Sequence, residues 1–411
     1  MTRHTDPALL RGLTSRRYDR RDALKALGLG AAFAAAACSV KGAAKPLPDA
    51  SQIAGFWKDK VRHGHVNFAN WADYMDAKRT PLEMFRKETG ISYTYSEVIT
   101  EDAPWYGKIQ PLLAANKSIG YDLMVVTNGV QMTKLIEFGY LAPLDHSRLP
   151  NFAKYADPIY KNESFDKGNV FTIPYTTGYT GIAYNPKYVK EPITSINALW
   201  DPKYKGHVGM MADTQELGNF GMFAVGADPE TSTKKDWEKA ARRLRKQKDA
   251  GIVRQYVEQD YTKSLANGDL WLSMAWSGDV FQENVSNGSN LQFVVPREGG
   301  TIWTDNMCMP VTAKNPVDAI TLMDFFYRPD IAAKLAEIIN YVTPVPASKA
   351  YVERDAQTAG SSDKSTYETM ISSPLVYPDA AELTKLRHYR ALRTPTEEQD
   401  YQNIFLPITG G

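Results

Sequence analysis

From His65 onward the chain alternates short apolar runs with amphipathic stretches, and that alternation limits the folds open to it. Residues 66–69 read as a strand. Residues 81–88 read as a helix with Pro81 in its tolerated first turn, and Gly90 ends it. Residues 91–98 are a second strand, 105–116 a second helix and 121–126 a third strand. This rhythm implies an α/β domain on a largely parallel sheet. Residues 178–185 then read as a strand leaving that domain, and a second alternating unit follows. It has strands at 207–211, 270–276 and 291–295 and helices at 217–225 and 237–248. The last third carries helices at 316–327 and 330–339, then a polar Ser/Asp/Thr-rich run at 355–370. A chain of 411 residues has room for two domains of ordinary size.

Two α/β lobes joined by extended crossovers enclose a cleft where strand ends face each other. Open α/β sheets bind ligands outside the carboxyl ends of their strands, so the residues just after strands are the ones to inspect. After the first strand comes Asn70-Trp71-Ala72-Asp73-Tyr74. After 207–211 comes Ala212-Asp213-Thr214-Gln215-Glu216, and at the end of 270–276 Trp276-Ser277-Gly278-Asp279. Beyond Glu298-Gly299-Gly300 comes Ile302-Trp303-Thr304-Asp305. The recurring theme is Trp or Tyr beside a carboxylate at a strand end. Such pairs suit an organic ammonium, because an aromatic face attracts a cation by roughly 0.5–2 kcal/mol and a carboxylate gives it charge-assisted hydrogen bonds. The candidate carboxylates are Asp73, Asp213, Glu216 and Asp305. Each residue also has a plainer reading. Asp213-x-x-Glu216 spells a helix capping box, Asp73 can hold a turn, and Trp276 and Trp303 can be core.

The N-terminus reads as a targeting segment. Residues 1–37 contain the pairs Arg16-Arg17 and Arg20-Arg21, and Asp19-Arg20-Arg21-Asp22-Ala23-Leu24-Lys25 resembles the twin-arginine export signature. An Ala/Gly-rich apolar stretch too short to span a bilayer follows. It ends Ala35-Ala36-Ala37-Cys38-Ser39, where small residues before a cysteine look like a lipobox whose cysteine becomes acylated; Ala35 stands where a branched aliphatic residue is usual. The alternative is ordinary cleavage with Cys38 a bystander. Residues 38–62 then form a lipidated N-terminus and tether. Residues 1–37 hold seven Lys or Arg and three acids, so the remainder balances 41 basic residues against 44 acidic ones. That balance, with no Lys/Arg-rich stripe, argues against a nucleic-acid partner. With two cysteines, Cys38 and Cys308, a disulfide framework is not expected, and Cys308 reads as a small buried hydrophobe.

Several ordered stretches resemble the spermidine/putrescine-binding proteins of bacterial polyamine ABC transporters. They are Asn70 to Tyr74, Tyr121 to Val126, Ile173-Pro174-Tyr175, Leu199 to Gly206, Glu298-Gly299-Gly300 with Trp303 and Asp305, Arg328-Pro329-Asp330, and Tyr341 to Pro344. The resemblance covers about residues 63 to 350. It implies a two-lobed periplasmic-binding-protein fold of type II with two crossovers. Lobe 1 is then 63–177 plus 304–349, and lobe 2 is 178–303 plus 350–411. Carried over, Trp71, Asp73 and Tyr74 contact an amine from the first lobe, and Asp213 and Glu216 bind one end from the second. Trp276, Trp303 and Tyr341 wall the methylene chain, and Asp305 pairs with another nitrogen. Asn128 and Val130 stand where relatives carry Ser and Tyr. Arg387 aligns near a Gln contact, and a guanidinium there would repel one end of a polyamine.

The resemblance thus implies capture of a polyamine for an ABC importer, with permease subunits as partners, a separate ATPase and no cofactor. Within the same class, the ligand could be an amino-acid-derived or quaternary amine. An exported carboxylate-using hydrolase is a distant rival, because Asp213 and Glu216 come from one helical turn and would not flank a substrate. The chain has no G-x-S-x-G elbow and no H-E-x-x-H, and its six histidines are too few to expect a His-based metal site. His63 and His65 read as surface residues. A ferric-iron binder of the same fold needs a tyrosine pair with an acid or His, which Trp-rich walls fit poorly.

Overall fold

The computed structural model describes residues 47–410, apart from Asp73, Glu101, Gln259 and Arg393. The export segment and Cys38 therefore lie outside the described residues. Helix α1 (Ala50–Trp57) falls in the stretch read as tether. Asp49 and Gln52 close a capping box at its start. Trp57, only 4% exposed, donates its indole N–H to the Pro143 carbonyl at 2.8 Å. A buried ring with its one donor satisfied anchors the segment, so the chain is tied down from α1 and not from His63.

The first unit comprises β1 (His65–Trp71), α2 (Thr80–Thr89), β2 (Ser92–Ile99), α3 (Asp102–Ala114), β3 (Leu123–Thr127), α4 (Val130–Glu137) and α5 (Pro150–Tyr155). Strand β4 (Thr172–Tyr184) leads out of it. The second unit comprises β5 (Val208–Met211), α6 (Thr214–Ala224), α7 (Lys234–Asp249), β6 (Val253–Val257), α8 (Tyr261–Asn267), β7 (Leu272–Trp276), α9 (Ser277–Asn287) and β8 (Gln292–Val294). Strand β9 (Gly300–Cys308) returns to the first unit. There follow α10 (Pro316–Phe325), α11 (Pro329–Ile339), α12 (Lys349–Thr358), α13 (Ser361–Ser372), α14 (Ala380–Thr384), β10 (Leu386–Arg387) and α15 (Pro395–Thr409).

The strands form one sheet in the order β2-β1-β3-β9-β4-β7-β5-β6, with β10 beside β9 and β8 beside β4. β1 runs parallel to β2 and β3, and β5 runs parallel to β6 and β7. Between these parallel triads lie β9 and β4, antiparallel to each other and to their outer neighbours β3 and β7. They are the two crossovers. Their register runs from Thr172 opposite Cys308 to Thr180 opposite Thr301. Each triad has its own hydrophobic core. Phe68, Leu82, Phe85, Val125 and Leu322 pack on one side, and Met210, Phe220, Leu244, Leu272 and Met274 on the other. Two cores on one bridged sheet make the type II two-lobed periplasmic-binding-protein fold.

Three readings from the sequence change. Residues 302–305, expected just past a strand, lie in the middle of β9. The chain turns at Gly299 (φ 129°) and the strand starts at once, buried along its whole length. A strand covered on both faces shows no alternation to mark its end. The polar run at 355–370 is largely helical, because Val352, Ala356 and Met370 are buried in a cluster with Phe281 and Ala333. Strands β6 and β10 and helices α4, α5, α8, α9, α14 and α15 were not foreseen; most are too short to show a periodic signal. Cys308 is a fully buried free thiol, and burial pushes its pKa well up.

Candidate functional site

The register of the returning crossover, β9, sets one end of the site. β3 pairs with β9 so that Thr127 stands opposite Asp305, and the Thr127 hydroxyl donates to Asp305 Oδ1 at 2.6 Å. The Tyr74 hydroxyl, just past β1, donates to Oδ2 at 2.5 Å. Asp305 is 2% exposed. Burial pushes its carboxyl up to about 6, although both hydroxyls favour the ionised form. The Tyr74 ring is tilted against Trp71 and stacks on Tyr175. The backbone N–H of Thr127 reaches a further acid, Asp102 in the first turn of α3, at 3.3 Å. Burial and then the charge of Asp305 raise Asp102 to about 8.

The other end is built on α6. Asp213 caps it, accepting the N–H groups of Gln215 and Glu216 at 2.9 and 2.8 Å on Oδ1. Asp213 keeps open surface, yet burial is the main cause that raises its pKa. The capping box is only half formed, because the Glu216 side chain does not return to Asp213. It turns inward, 1% exposed, and its Oε1 accepts from the Thr180 hydroxyl at 2.6 Å, the Tyr389 hydroxyl at 2.8 Å and the Trp276 indole at 3.1 Å. Its Oε2 is buried without a partner. Burial, opposed by the Thr180 bond and helped by the Asp213 charge, pushes Glu216 up to about 7.

A fifth acid, Asp279, lies in the first turn of α9. Tyr341 donates to its Oδ1 at 2.7 Å and Tyr261 to its Oδ2 at 2.8 Å, and burial raises its pKa. Trp303 meets Tyr341 edge to face at 5.2 Å. Two glycines make room for these rings. A Cβ on Gly178 would lie 2.2 Å from the Trp303 indole, and one on Gly278 would lie 2.5 Å from the Tyr341 ring. Trp71, Tyr74, Trp276 and Tyr389 pack half-buried on one cluster whose buried members include Tyr175, Trp303 and Tyr341. Trp276 also packs on the second core, so it bridges the lobes.

The structure therefore gathers Trp71, Tyr74, Asp213, Glu216, Trp276, Trp303, Asp305 and Tyr341 around one aromatic cluster. Asp73 lies outside the described residues. The Asn128 carboxamide oxygen is taken by the Thr304 N–H at 2.8 Å, which ties it to the crossover. Arg387 does not carry its charge toward the acids. It bonds Asp228 at 3.2 Å and the carbonyls of Thr384 and Leu386, and Tyr389 two residues later is the one that reaches in. Reading by strand ends passed over Asp102 and Tyr389. Asp279 was quoted beside Trp276 but not counted among the carboxylates. Asp102 carried a helix-start signal only, and Tyr389 carried none.

Asp102, Asp213, Glu216, Asp279 and Asp305 thus share a half-buried aromatic site, and no ion pair among the described residues involves any of the five. Carboxylates without a cation in low dielectric are costly, and the cost is relieved by a ligand that brings positive charge. A two-lobed fold with such a site at its crossovers defines an extracytoplasmic solute-binding protein. The chain belongs to the bacterial extracellular solute-binding protein family, which matches residues 82–361.

It is 31% identical over 319 residues to the spermidine/putrescine-binding periplasmic protein of Salmonella typhimurium, covering 77% of this chain and 84% of that one. It is 32% identical over 301 residues to the protein of the same name from Escherichia coli, covering 73% and 82%. Among solved structures, the spermidine/putrescine ABC transporter substrate-binding protein PotD of Streptococcus pneumoniae superposes with a TM-score of 0.69 at 25% identity, over 84% of this chain and 98% of that one. The TpPotD lipoprotein of Treponema pallidum shares the fold, with a TM-score of 0.70 at 17% identity over 84% of this chain and 100% of that one. The Salmonella and Escherichia relatives are named as binding proteins, and this chain, of the same solute-binding family, is a binding protein and not an enzyme.

Proposed function

We propose that this protein captures a short polyamine of the putrescine or spermidine kind and hands it to the permease subunits of an ABC importer. The observation that carries this reading is the set of five carboxylates without a basic partner among the described residues, walled by Trp71, Tyr74, Trp276, Trp303 and Tyr341. An extended aliphatic cation answers both features. Its ammonium groups pair with the acids, and its methylenes lie against the rings. The relatives named as spermidine/putrescine-binding proteins support the same ligand class. Asp305 and Tyr74 take one end, and Asp213 and Glu216 take the other.

The division into lobes at 63–177 plus 304–349 and 178–303 plus 350–411 is part of this proposal. In its favour, Thr177 and Thr304 are register partners across the crossovers. Closure about those strands would bring the two ends together on the ligand. Export by the twin-arginine route and acylation of Cys38 would hold the protein at the membrane. No helix among the described residues is long and apolar enough to cross one. Mass spectrometry of the native N-terminus tests the anchor. Calorimetry with putrescine, spermidine, γ-aminobutyrate and ferric citrate tests the ligand. Saturable binding of the amines alone is expected, and heat from γ-aminobutyrate or ferric citrate in their place would sink the reading.

A further inference from the structure

We infer that α4 and the C-terminal helix α15 form a clasp that sets how long a captured ligand stays, with Lys134 and Glu398 as its positioning residues. The inference rests on the binding role of the site but on no particular ligand. It also draws on a part of the chain, α15, that lies beyond the residues 82–361 matched by the family.

Helix α4 has two faces with different allegiances. Met132 and Leu135 root it in a cluster with Trp105, Ile109 and Val126, on the side of the first triad. Residues four apart share one face of a helix, and Val130 and Lys134 occupy the other. Val130 is 3% exposed and is buried in the second core, with Met210, Phe220 and Leu244. Its N–H donates to Gln215 Oε1 at 3.3 Å. One turn further on, the Lys134 ammonium donates to Glu398 Oε1 at 2.7 Å. Glu398 stands in the first turn of α15, whose Tyr401, Phe405 and Ile408 are buried in that same second core. An apolar contact, a backbone hydrogen bond and an ion pair therefore leave one helix rooted on the first side and land on the second.

The clasp adjoins the acids without including them. Gln215 lies between Asp213 and Glu216 in the first turn of α6, and its own N–H is held by Asp213. A Cβ on Gly129 would lie 2.7 Å from Gln215 Oε1 and 3.8 Å from the Tyr389 ring, whose hydroxyl holds Glu216. Parting α4 from α6 therefore moves the wall that carries Asp213 and Glu216. The ion pair is built to yield. Lys134 and Glu398 keep 28% and 22% of their side-chain surface exposed, so water reaches both charges and the pair is weak. A ligand enters while the two sides are apart, before the clasp forms, and leaves only after it opens. The pair thus acts on release and hardly on capture.

Stopped-flow tryptophan fluorescence with spermidine as probe tests this on the purified protein, Lys134→Glu, Glu398→Lys and the double charge swap. Each single reversal is expected to speed dissociation about threefold or more and to leave association within about twofold, and the swap should restore the original rate. Unchanged dissociation in the single variants, equal changes in both rates, or no recovery in the swap overturns the inference. Should the reversals fold poorly, Lys134→Met and Glu398→Gln remove each charge and keep most of the shape. Each should speed dissociation in the same way, and an unchanged rate overturns the inference as well. Hydrogen exchange at the Val130 amide reads the clasp with no ligand added. It should quicken about threefold or more in either reversal and slow again in the swap, and a constant rate across the set overturns the inference. Failure of the unaltered protein to bind spermidine removes the polyamine reading alone, because the Val130 amide still decides the clasp.

Discussion

The Tyr389 hydroxyl donates to Glu216 at 2.8 Å, tying the stretch after β10 to the first turn of α6. The same carboxyl oxygen takes Thr180 and Trp276, while the other is buried and bare. Such a group has its position fixed by three donors and keeps an unused acceptor.

Replacing Glu216 by Gln removes the charge and keeps the shape. Amine affinity should fall by about 2 kcal/mol, the scale of one charge-assisted bond in a desolvated site. The melting temperature of the empty protein should hold or rise, because a buried acid without a cation has been neutralised. Tyr389→Phe leaves two donors on the same oxygen and should lower affinity by less, about 1 kcal/mol. Calorimetry and thermal melts on the pair decide the ordering.

Asp213→Ala and Asp305→Ala should each weaken amine binding by about 2 kcal/mol or more, roughly the cost of stranding one buried charge. Asp228→Ala serves as the control. Its carboxylate pairs with the partly exposed Arg387 and should leave affinity alone. Wild-type affinity in both of the first two variants would remove the site assignment.

Acidity offers a check that needs no substitution. Burial holds Glu216 near 7 and Asp305 near 6 in the folded protein, against unfolded values of about 4.3 and about 3.9. Over that interval the empty folded protein keeps protons that the unfolded chain has lost, so its stability falls as pH rises from about 4 to about 7. A bound cation favours the ionised acids, so amine affinity rises between about pH 5 and about pH 8. Thermal melts should show the empty protein losing stability with pH while the ligand-induced stabilisation grows. A flat response in both series would contradict the buried acid pair.

Gly178→Ala tests the wall of the slot. A Cβ there would stand 2.2 Å from the Trp303 indole, so the ring must move or the crossover must shift. Overpacking of this kind costs about 1–3 kcal/mol of stability. Amine affinity should also fall, about tenfold or more, because Trp303 loses its place against Tyr341. A crystal structure with Trp303 unmoved and affinity intact would show that the ring is not part of the wall.

Much of this was legible in the chain. Residues 66–69 and 121–126 appeared as strands because each buries a short apolar run, 91–98 appeared as one through its β-branched and aromatic residues, and Gly90 closed α2 with φ 72° as a helix-ending glycine does. Asp213 was legible as a cap because capping is local. The fate of Glu216 was not. It is spent on Thr180, Trp276 and Tyr389, at sequence separations of 36, 60 and 173 residues. Asp102 was not singled out at all, because its contact with the Thr127 N–H depends on β3 lying beside the start of α3.

Local pattern, then, determined the alternation of elements, the α/β class, and which short stretches pair an aromatic ring with an acid, because periodicity and capping act over a few residues. Only the tertiary structure decided that Trp303 and Asp305 sit mid-strand on a crossover, and that Arg387 turns away to Asp228 while Tyr389 turns in to Glu216. The reason is physical: burial, hydrogen-bond partners and the electrostatics that follow from them depend on which distant segment lies across the sheet, and that is settled by packing of the whole chain.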